Sequence, residues 1–320
     1  MSKRIKILLL ISIFVLISAT VSAQTVIEAD QIIKQINDGL DIYYHNVIIE
    51  GDLDFITDIN NYKIYIKNTN KHYETYITSQ IVFEDCIFKG NMVSYYAKNN
   101  RNYHAMFEKG VTFKNCQFRE AVNFSRASFL EEVNFTNSIF GGETDFSLVD
   151  FSKEVYLNQA EFKKESSFKL ADFESNVKME NTLFLGRADF THVDFSGEVY
   201  LNQAEFKKES SFKLADFESN VKMENTLFLG RADFTHVDFS EEVYLNQAEF
   251  KKESSFKFAN FESNVKMDKT MFSGYADFSH TEFFKQVSMK GMKLKGGSTF
   301  KHATINGNSF SDYLINLFFQ

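Results

Sequence analysis

The chain has 320 residues, 44% of them hydrophobic, with 37 Phe, 14 Tyr, no Trp and no Pro. Its formal net charge of -8 argues against nucleic acid and anionic membrane surfaces as partners. The absence of proline suits a continuous hydrogen-bonded ladder, because an interior proline removes a rung. No Gly-rich phosphate loop, His-Glu-x-x-His or Cys-x-x-Cys motif occurs, so we expect no cofactor, no metal and no catalytic residue.

The first 23 residues have the pattern of a secretory signal peptide. Three basic residues precede an apolar run at 7–17 that is too short to span a bilayer comfortably, and a small-residue cleavage pattern ends at Ala23. We therefore expect export to a secreted, periplasmic or cell-surface location, with a mature chain that starts at Gln24 and has no membrane span. An uncleaved anchor is the alternative.

Residues 24–41 predict an N-terminal capping helix. Apolar Ile32, Ile33 and Ile36 have helical spacing, and Gly39 is placed to end the helix. Such a cap is needed if a solenoid follows, because the bare end of a solenoid exposes apolar core and unpaired backbone.

A long tandem duplication lies further along the chain. Residues 155–198 recur at 199–242 with one change, Gly197 to Glu241, and a more diverged copy occupies 243–286. Self-similarity at a fixed period is typical of repeat architectures. We interpret the copies as a unit that stacks on itself.

A finer period runs inside each copy. Large apolar residues, mostly Phe, recur in steps that alternate between six and five, which neither a helix nor a simple strand explains. A smaller residue lies two positions before each large one, and residues two apart on a strand share a face. Short strands such as Ala171 to Phe173 should therefore point one small and one large side chain inward and Asp172 outward.

The tripeptide Ala-Asp-Phe, at 171–173 and 188–190, resembles the pentapeptide-repeat motif of a small residue, Asp or Asn, then Leu or Phe, and two free positions. The resemblance covers roughly residues 42–305 and implies an all-β fold, a right-handed quadrilateral parallel β-helix. Two steps of five and two of six give 22 residues per coil rather than 20. The added residue should bulge outward at alternate corners.

Two stretches of the chain fit the repeat less simply. Between Phe88 and Phe118 lie a coil and eight further residues, which predicts an insertion loop at 89–106. The phase runs upstream of that loop through five large residues that are eleven positions apart: Tyr44, Phe55, Ile66, Ile77 and Phe88. Residues 56–76 fit less cleanly, because Asn60 and His72 fall near core positions, and we expect irregular or longer corners there.

Residues 306–320 predict a C-terminal cap. Ser311 is placed to cap a helix that presents Tyr313, Leu314, Leu317 and Phe318. This helix is either a lid or a homodimer contact, because the resemblance implies members that dimerise through their C-terminal ends.

Residues 22 apart should stack about 4.8 Å apart, so surface columns can be predicted. An alternating Glu and Arg corner begins at Glu165 and Arg187, and an alternating Tyr and Lys face begins at Tyr156 and Lys178. Both suit stabilising cross-strand pairs. A third column has like charge throughout: Asp150, Asp172, Asp194, Asp216 and Asp238.

The aspartate column has three interpretations. The structural one, which we favour, is that the side chains accept hydrogen bonds from turn N–H groups. The functional ones are calcium binding and mimicry of DNA phosphates. A shared zinc site at His192, His236 and His280 is not expected, because a 44-residue period separates them by about 9.6 Å.

Cys86 and Cys116 each lie two residues before a core Phe. If the insertion loops out, they lie on adjacent coils with Cα atoms about 5 Å apart, within reach of a disulfide. Export permits oxidation, so a disulfide and two buried free thiols both remain open.

The leading hypothesis for function is a non-catalytic exported scaffold or binding surface for an unknown protein or envelope component. An alternative is a DNA-mimicking protein that binds topoisomerase, a role that the resemblance implies. The signal peptide argues against this alternative. A polysaccharide-processing enzyme is the other alternative. Its site would need the non-repeating region 56–106, where the candidates are Glu84, Asp85, Arg101 and His104.

Overall fold

The computed structural model describes residues 24–57, 59–67, 70–98 and 101–318. The predicted signal peptide, residues 1–23, lies outside these residues. Within them, short strands stack in register into four sheets that form the sides of a quadrilateral solenoid. This confirms the predicted all-β repeat fold with 22 residues between stacked positions, as in Phe151 and Phe173. Neither helix of the described chain is long and apolar enough to cross a membrane.

The chain visits the four sheets in a fixed order, and we call them faces I to IV. Face I consists of Ile42–His45, Ile81–Glu84, Val111–Lys114, Val133–Asn134, Val155–Tyr156, Val177–Lys178, Val199–Tyr200, Val221–Lys222, Val243–Tyr244, Val265–Lys266 and Val287–Ser288. Face II consists of Thr25–Glu28, Val47–Glu50, Ile87–Phe88, Gln117–Phe118, Ile139–Phe140, Glu161–Phe162, Leu183–Phe184, Glu205–Phe206, Leu227–Phe228, Glu249–Phe250, Met271–Phe272 and Lys293–Leu294.

The other two sheets complete each coil. Face III consists of Leu53–Asp54, Met92–Val93, Val122–Asn123, Thr144–Asp145, Ser166–Ser167, Ala188–Asp189, Ser210–Ser211, Ala232–Asp233, Ser254–Ser255, Ala276–Asp277 and Ser298–Thr299. Face IV consists of Tyr62–Lys67, Asn70–Ile77, Tyr95–Lys98, Arg101–Phe107, Ser128–Phe129, Asp150–Phe151, Asp172–Phe173, Asp194–Phe195, Asp216–Phe217, Asp238–Phe239, Asn260–Phe261, Glu282–Phe283, Thr304–Ile305 and Asn308–Ser309.

We call the short strand that one coil contributes to a face a rung. Each rung buries one small and one large side chain, as the spacing predicts. On face IV, Ala171 and Phe173 are buried while Asp172 between them faces outward. The phenylalanine rings of successive coils stack nearly parallel, with the Phe173 centroid 4.8 Å from that of Phe151. Aromatic pairs of this kind add about 0.5–1.5 kcal/mol beyond their buried area, so the stacks hold the coils in register.

The five- and six-residue steps produce two kinds of corner. Corners from face I to II and from III to IV have two residues, and Ala160 N donates to the carbonyl oxygen of Leu157 (3.0 Å) across Gln159, whose φ is 59°. Corners from II to III and from IV to I have three residues, which are exposed between Phe162 and Ser166. The added residue of the six-residue step therefore widens alternate corners outward, as predicted.

The early coils depart from the prediction. The eleven-residue phase is wrong at Ile66, because Tyr62–Lys67 and Asn70–Ile77 form an antiparallel hairpin instead of part of a coil. Residues 89–106 are also not simply a loop, since Met92–Val93 lies on face III and a second hairpin joins Tyr95–Lys98 to Arg101–Phe107. Alternating aromatic and polar residues favour strands in both segments.

The two hairpins stack on each other and extend face IV sideways. Asn70–Ile77 pairs in parallel with Arg101–Phe107 over seven residues. We call this four-stranded extension, formed by residues 62–67, 70–77, 95–98 and 101–107, the hairpin wing. It is the part of the described solenoid that does not follow the repeat.

Helix α1, Ala29–Asn37, covers the N-terminal end of the solenoid. Its Ile32, Ile33 and Ile36 are buried, and Gly39 follows with φ +73°. The segment 24–41 is not helical throughout, because Thr25–Glu28 is a strand that pairs with Val47–Glu50 on face II.

Helix α2, Phe310–Phe318, covers the other end. Phe310 is buried and stacks on Phe283 and Phe300 with centroids 4.9 and 5.1 Å away. The helix starts one residue before Ser311, and Ser309 Oγ accepts a hydrogen bond from Asp312 N (3.4 Å), so Ser309 takes the capping role predicted for Ser311. Helix α2 is a lid, and dimerisation through it stays a prediction.

Candidate binding surface

Outward aspartates on face III stabilise the corner that follows them. The carboxylate Oδ1 of Asp145, Asp189, Asp233 and Asp277 accepts a hydrogen bond from the backbone N–H two residues further on, at 2.8–3.0 Å. This N–H lies in a two-residue corner. On face III, therefore, Asp is a local turn-capping residue.

The aspartate column of face IV makes no such bond. These residues precede a three-residue corner, and there the N–H two positions on is already used in the ladder: Glu174 N donates to the Phe151 carbonyl at 3.0 Å. Among the described contacts, Asp150 accepts from Ser128 Oγ (3.3 Å) and Asp238 from Asn260 Nδ2 (2.7 Å). The turn-capping interpretation is wrong for this column.

The aspartates of this column stack in register on adjacent strands of face IV. Each aspartate pairs with the next one along the column, in the order Asp150, Asp172, Asp194, Asp216 and Asp238. Burial raises the pKa of Asp150, Asp172 and Asp216, and for Asp172 and Asp216 the adjacent carboxylates of the column raise the pKa further. A raised pKa means that the fold disfavours the charged form of these groups.

Three glutamates extend the negative charge onto the next corner. Glu174, Glu218 and Glu262 follow the large residue of alternate rungs, and they contribute to the raised pKa of the column. We call the five aspartates and these three glutamates the acidic strip. In the described part of the chain no three His, Cys, Asp or Glu residues come together as a cation site, so the geometry gives the calcium interpretation no support.

A column of bulky residues runs along the other edge of the acidic strip, at the corner between faces III and IV. Each residue has φ of 57–62°, a left-handed conformation that large side chains rarely adopt. The equivalent corner between faces I and II mostly carries Asn and Gln there, such as Asn137 and Gln159. We call this column the corner ladder: Leu148, Leu170, His192, Leu214, His236, Phe258, His280 and His302.

The corner ladder is open to solvent and stacked. Leu170 and Leu214 are 45% and 38% exposed. The Phe258 ring stacks between His236 and His280, with centroids 4.7 and 4.6 Å away. His236 and His280 are therefore part of a surface stack of rings.

Face I carries repeated clusters that stabilise the fold. Glu198 accepts hydrogen bonds from Asn220 Nδ2 (2.8 Å), Lys222 Nζ (3.0 Å) and the Tyr200 hydroxyl. These partners, led by Asn220, hold the pKa of Glu198 at about 2. Lys222 Nζ also lies 4.3 Å from the centroid of the Tyr200 ring. The alternating Tyr and Lys column is thus satisfied by cross-strand pairs, as predicted.

The alternating Glu and Arg corner is looser. Arg231 Nε lies 3.6 Å from Glu253, while Arg187 and Arg231 also contact Asp189 and Asp233 at 3.4 and 3.7 Å. The arginine side chains are about half exposed. Pairs of this kind stabilise by about 0–1 kcal/mol, so this column is mainly a solvated edge.

Cys86 and Cys116 lie on adjacent coils of face II, next to the paired residues Ile87 and Gln117. Both are buried free thiols in the structure. Cys86 Sγ donates to the carbonyl oxygen of Glu84 (3.1 Å), and burial raises the pKa of Cys116. The register brings the two residues together, and the disulfide stays a prediction.

The repeats match a known family. A family model described as pentapeptide repeats (nine copies) matches residues 103–156 and 157–204. Residues 103–204 of this chain are therefore pentapeptide repeats. Among solved structures, the plasmid-mediated fluoroquinolone resistance protein QnrB1 is similar at 15% identity over 66% of this chain and 89% of that chain, with a TM-score of 0.19. No curated protein sequence matches.

The solenoid separates the four residues considered for an enzyme site. Glu84 ends a face I strand and Asp85 forms the next corner, where its carboxylate is 3.3 Å from His45 Nδ1. Arg101 and His104 belong to a face IV strand, and His104 Nε2 lies 3.5 Å from Glu74. The structure brings the pairs to different faces, so they form no common constellation.

The hairpin wing adds one groove that sequence reasoning did not identify. Its volume is about 280 Å³, and Ile56, Ile59, Tyr73, Tyr96 and Tyr103 are among the residues that line it. The Tyr103 ring stacks between Tyr73 and Tyr96, with centroids 4.4 and 4.5 Å away. The alternation of tyrosines in the two hairpins is the sequence signal that could have located it.

Proposed function

We propose that this pentapeptide-repeat protein is a non-catalytic exported scaffold that binds a cationic partner along the acidic strip of face IV. The observation that supports the proposal is the stack of aspartates, which the fold does not need for turn capping. On face III the same residue type is explained by its bond to the backbone. On face IV that structural explanation fails.

The chain itself shows that a neutral residue fits the column. Asn260 follows Asp238 in the same register, and its amide donates to the Asp238 carboxylate at 2.7 Å. Like charges directly opposite each other on neighbouring strands are destabilising. Asparagine fits this column, yet five stacked aspartates occupy it. This favours a role for the negative charge in binding and not in folding.

The strip offers charge and apolar surface together. The five aspartates at about 4.8 Å per rung make a column roughly 19 Å long, and its field is screened beyond about 8–10 Å at physiological salt. A cationic partner would therefore be held by close contact. The exposed leucines of the corner ladder, Leu170 and Leu214, supply apolar area beside it.

The test compares two sets of aspartates. The chain 24–320 is immobilised and exposed to envelope and extracellular fractions and to a cationic polypeptide, polylysine, at several salt concentrations. The triple variant Asp172→Asn, Asp194→Asn and Asp216→Asn should lose binding. The matched control, Asp189→Asn with Asp233→Asn on face III, should bind normally at temperatures where it is folded.

A second arm tests the hairpin wing. Replacing residues 97–102 with a short turn shortens the hairpin but keeps Met92 and Ala105, which are buried in the solenoid. Binding should persist in this variant. Equal binding by the triple face IV variant and the wild type, or loss of binding only when the hairpin is shortened, contradicts the proposal.

A further inference from the structure

The outer surface of face II is striped. In the five strands from residue 161 to residue 250, two positions per rung point outward, and successive rungs alternate between a Glu with a Lys and a pair of leucines. The rungs in order are Glu161 with Lys163, Leu183 with Leu185, Glu205 with Lys207, Leu227 with Leu229, and Glu249 with Lys251.

Contacts within the charged rungs show that both positions share one face. Lys207 Nζ pairs with the Glu205 carboxylate, and Lys251 pairs with Glu249 in the same way. Their side chains remain 30–38% exposed, so the charges are available to a neighbour. Residues two apart on an extended strand are expected on the same side.

The apolar rungs are open at their edge. The corner residue after Leu185 is Gly186, and a Cβ there would overlap the carbonyl oxygen of Lys164 on the coil below. Glycine is therefore required, and it leaves no side chain beside the leucines. Gly230 next to Leu229 repeats the arrangement against Lys208. Charged rungs carry a lysine at this corner instead.

The stripes make face II complementary to itself in one orientation. We propose that face II packs against face II of a second copy, with the solenoid axes parallel and related by a two-fold axis that runs along them. This rotation reverses the direction of the strands, so the first outward position of a rung faces the second outward position of the partner's rung. It leaves the position of each rung along the solenoid axis unchanged. Glu205 then faces the partner's Lys207, and Leu227 faces the partner's Leu229.

Other arrangements are disfavoured by the same pattern. A two-fold axis along the strands would place Glu opposite Glu and Lys opposite Lys, which costs free energy. A slip of one rung would bury charge against leucine. The alternation thus specifies both the orientation and the register, as isologous interfaces require.

The face is small for a dimer. The twelve strands of the whole face, at about 4.8 Å and about three residues wide, give roughly 550–600 Å² per partner, of which the five striped rungs account for about 240 Å². Standard interfaces bury about 800 Å² per partner. We therefore expect weak association, with a dissociation constant in the micromolar range.

The test is a charge swap measured by sedimentation equilibrium on the full chain. Glu205→Lys alone and Lys207→Glu alone should each weaken the dimer about tenfold, because two symmetry-related pairs become repulsive. The double swap E205K/K207E should restore association to within about twofold of the wild type. Circular dichroism and thermal midpoints establish that each variant is folded.

Matched leucine variants complete the test. Leu183→Glu with Leu227→Glu should abolish the dimer, while Leu170→Glu with Leu214→Glu, exposed leucines on the corner ladder, should not affect it. The inference is overturned by a wild type that stays monomeric at millimolar concentration, or by a double swap that fails to restore association. A dimer lost with Ile315→Glu on helix α2, but kept in the face II variants, also overturns it in favour of end-to-end pairing.

Discussion

Faces III and IV carry the same residue in the same place, with opposite consequences. Asp189 and Asp194 both face outward between a small and a large buried residue. Asp189 accepts a backbone hydrogen bond (3.0 Å), whereas the corresponding N–H after Asp194, that of Ser196, already donates to Phe173 O (2.9 Å). The corner that follows a strand therefore decides whether its aspartate stabilises the fold.

This difference separates structural from functional charge within a repeat. A repeat copies every residue, so recurrence alone cannot show what a residue does. The length of the next corner can, because it fixes whether a local donor is free. Face III shows what the fold requires of aspartate, and face IV shows charge beyond that requirement.

The largest effect tests whether the interiors of the two faces are equivalent. Phe173→Ala on face IV and Phe190→Ala on face III should each cost about 3–5 kcal/mol of unfolding free energy, since both rings are fully buried. Denaturant unfolding monitored by circular dichroism measures the loss. Markedly unequal losses would place the contrast between the faces in the core and not in the outward residues.

A smaller loss should appear when the face III aspartates are removed. Asp189→Ala and Asp233→Ala each eliminate one backbone-to-carboxylate hydrogen bond, and we expect a cost of about 1 kcal/mol apiece. The thermal midpoint should fall with each substitution. Unchanged midpoints would remove the distinction between the two columns.

The face IV aspartates should respond in the opposite direction. Asp172→Asn and Asp216→Asn relieve repulsion and should stabilise the fold by about 0.5 kcal/mol each, with smaller gains at high salt because screening weakens the repulsion. The comparison of midpoints at low and high salt checks this. Destabilisation by asparagine would show that the carboxylates have structural partners after all.

The smallest effect is in the pH dependence of stability. The pKa of Asp172 is raised from 3.8, so the folded chain takes up protons first and gains stability as the pH falls from neutral towards that value. The pKa of Glu198 on face I is lowered from 4.5 to about 2, so its contribution is present above pH 4.5 and is lost as the pH falls towards 2.

The two trends together predict a maximum of the thermal midpoint in mild acid. In the triple variant Asp172→Asn, Asp194→Asn and Asp216→Asn, the rise on mild acidification should shrink, while the fall below pH 4.5 stays. Thermal melts between pH 7 and pH 3 measure both limbs. A rise of full size in the variant would assign the proton uptake to other groups.

Much of the fold follows from the sequence because the core is periodic. Steps of five and six specify which side chains point inward, and Phe162, Phe168 and Phe173 are buried as the spacing requires. The apolar spacing of Ile32, Ile33 and Ile36 likewise locates helix α1. In each case one simple pattern determines burial.

The predictions that the structure contradicts depended on backbone geometry, which the spacing of apolar residues does not specify. Ile66 fits the eleven-residue phase by number but belongs to a hairpin strand, since alternation within Tyr62–Lys67 suits strand pairing equally well. Asp189 and Asp194 both lie between a small residue and a Phe, and it is the hydrogen bonds of the following corner that show their different roles. The tyrosine-lined groove was not predicted for the same reason, because it is formed by the pairing of the two hairpins.

The 44-residue duplication comprises two whole coils, so a copy begins and ends at the same point of the rung. Unequal recombination between the near-identical segments 155–198 and 199–242 would lengthen or shorten the protein by about 9.6 Å without disturbing helix α1 or α2. The length of this solenoid is thus a heritable variable. Selection can adjust the reach of the molecule while its cross-section and its two ends stay constant.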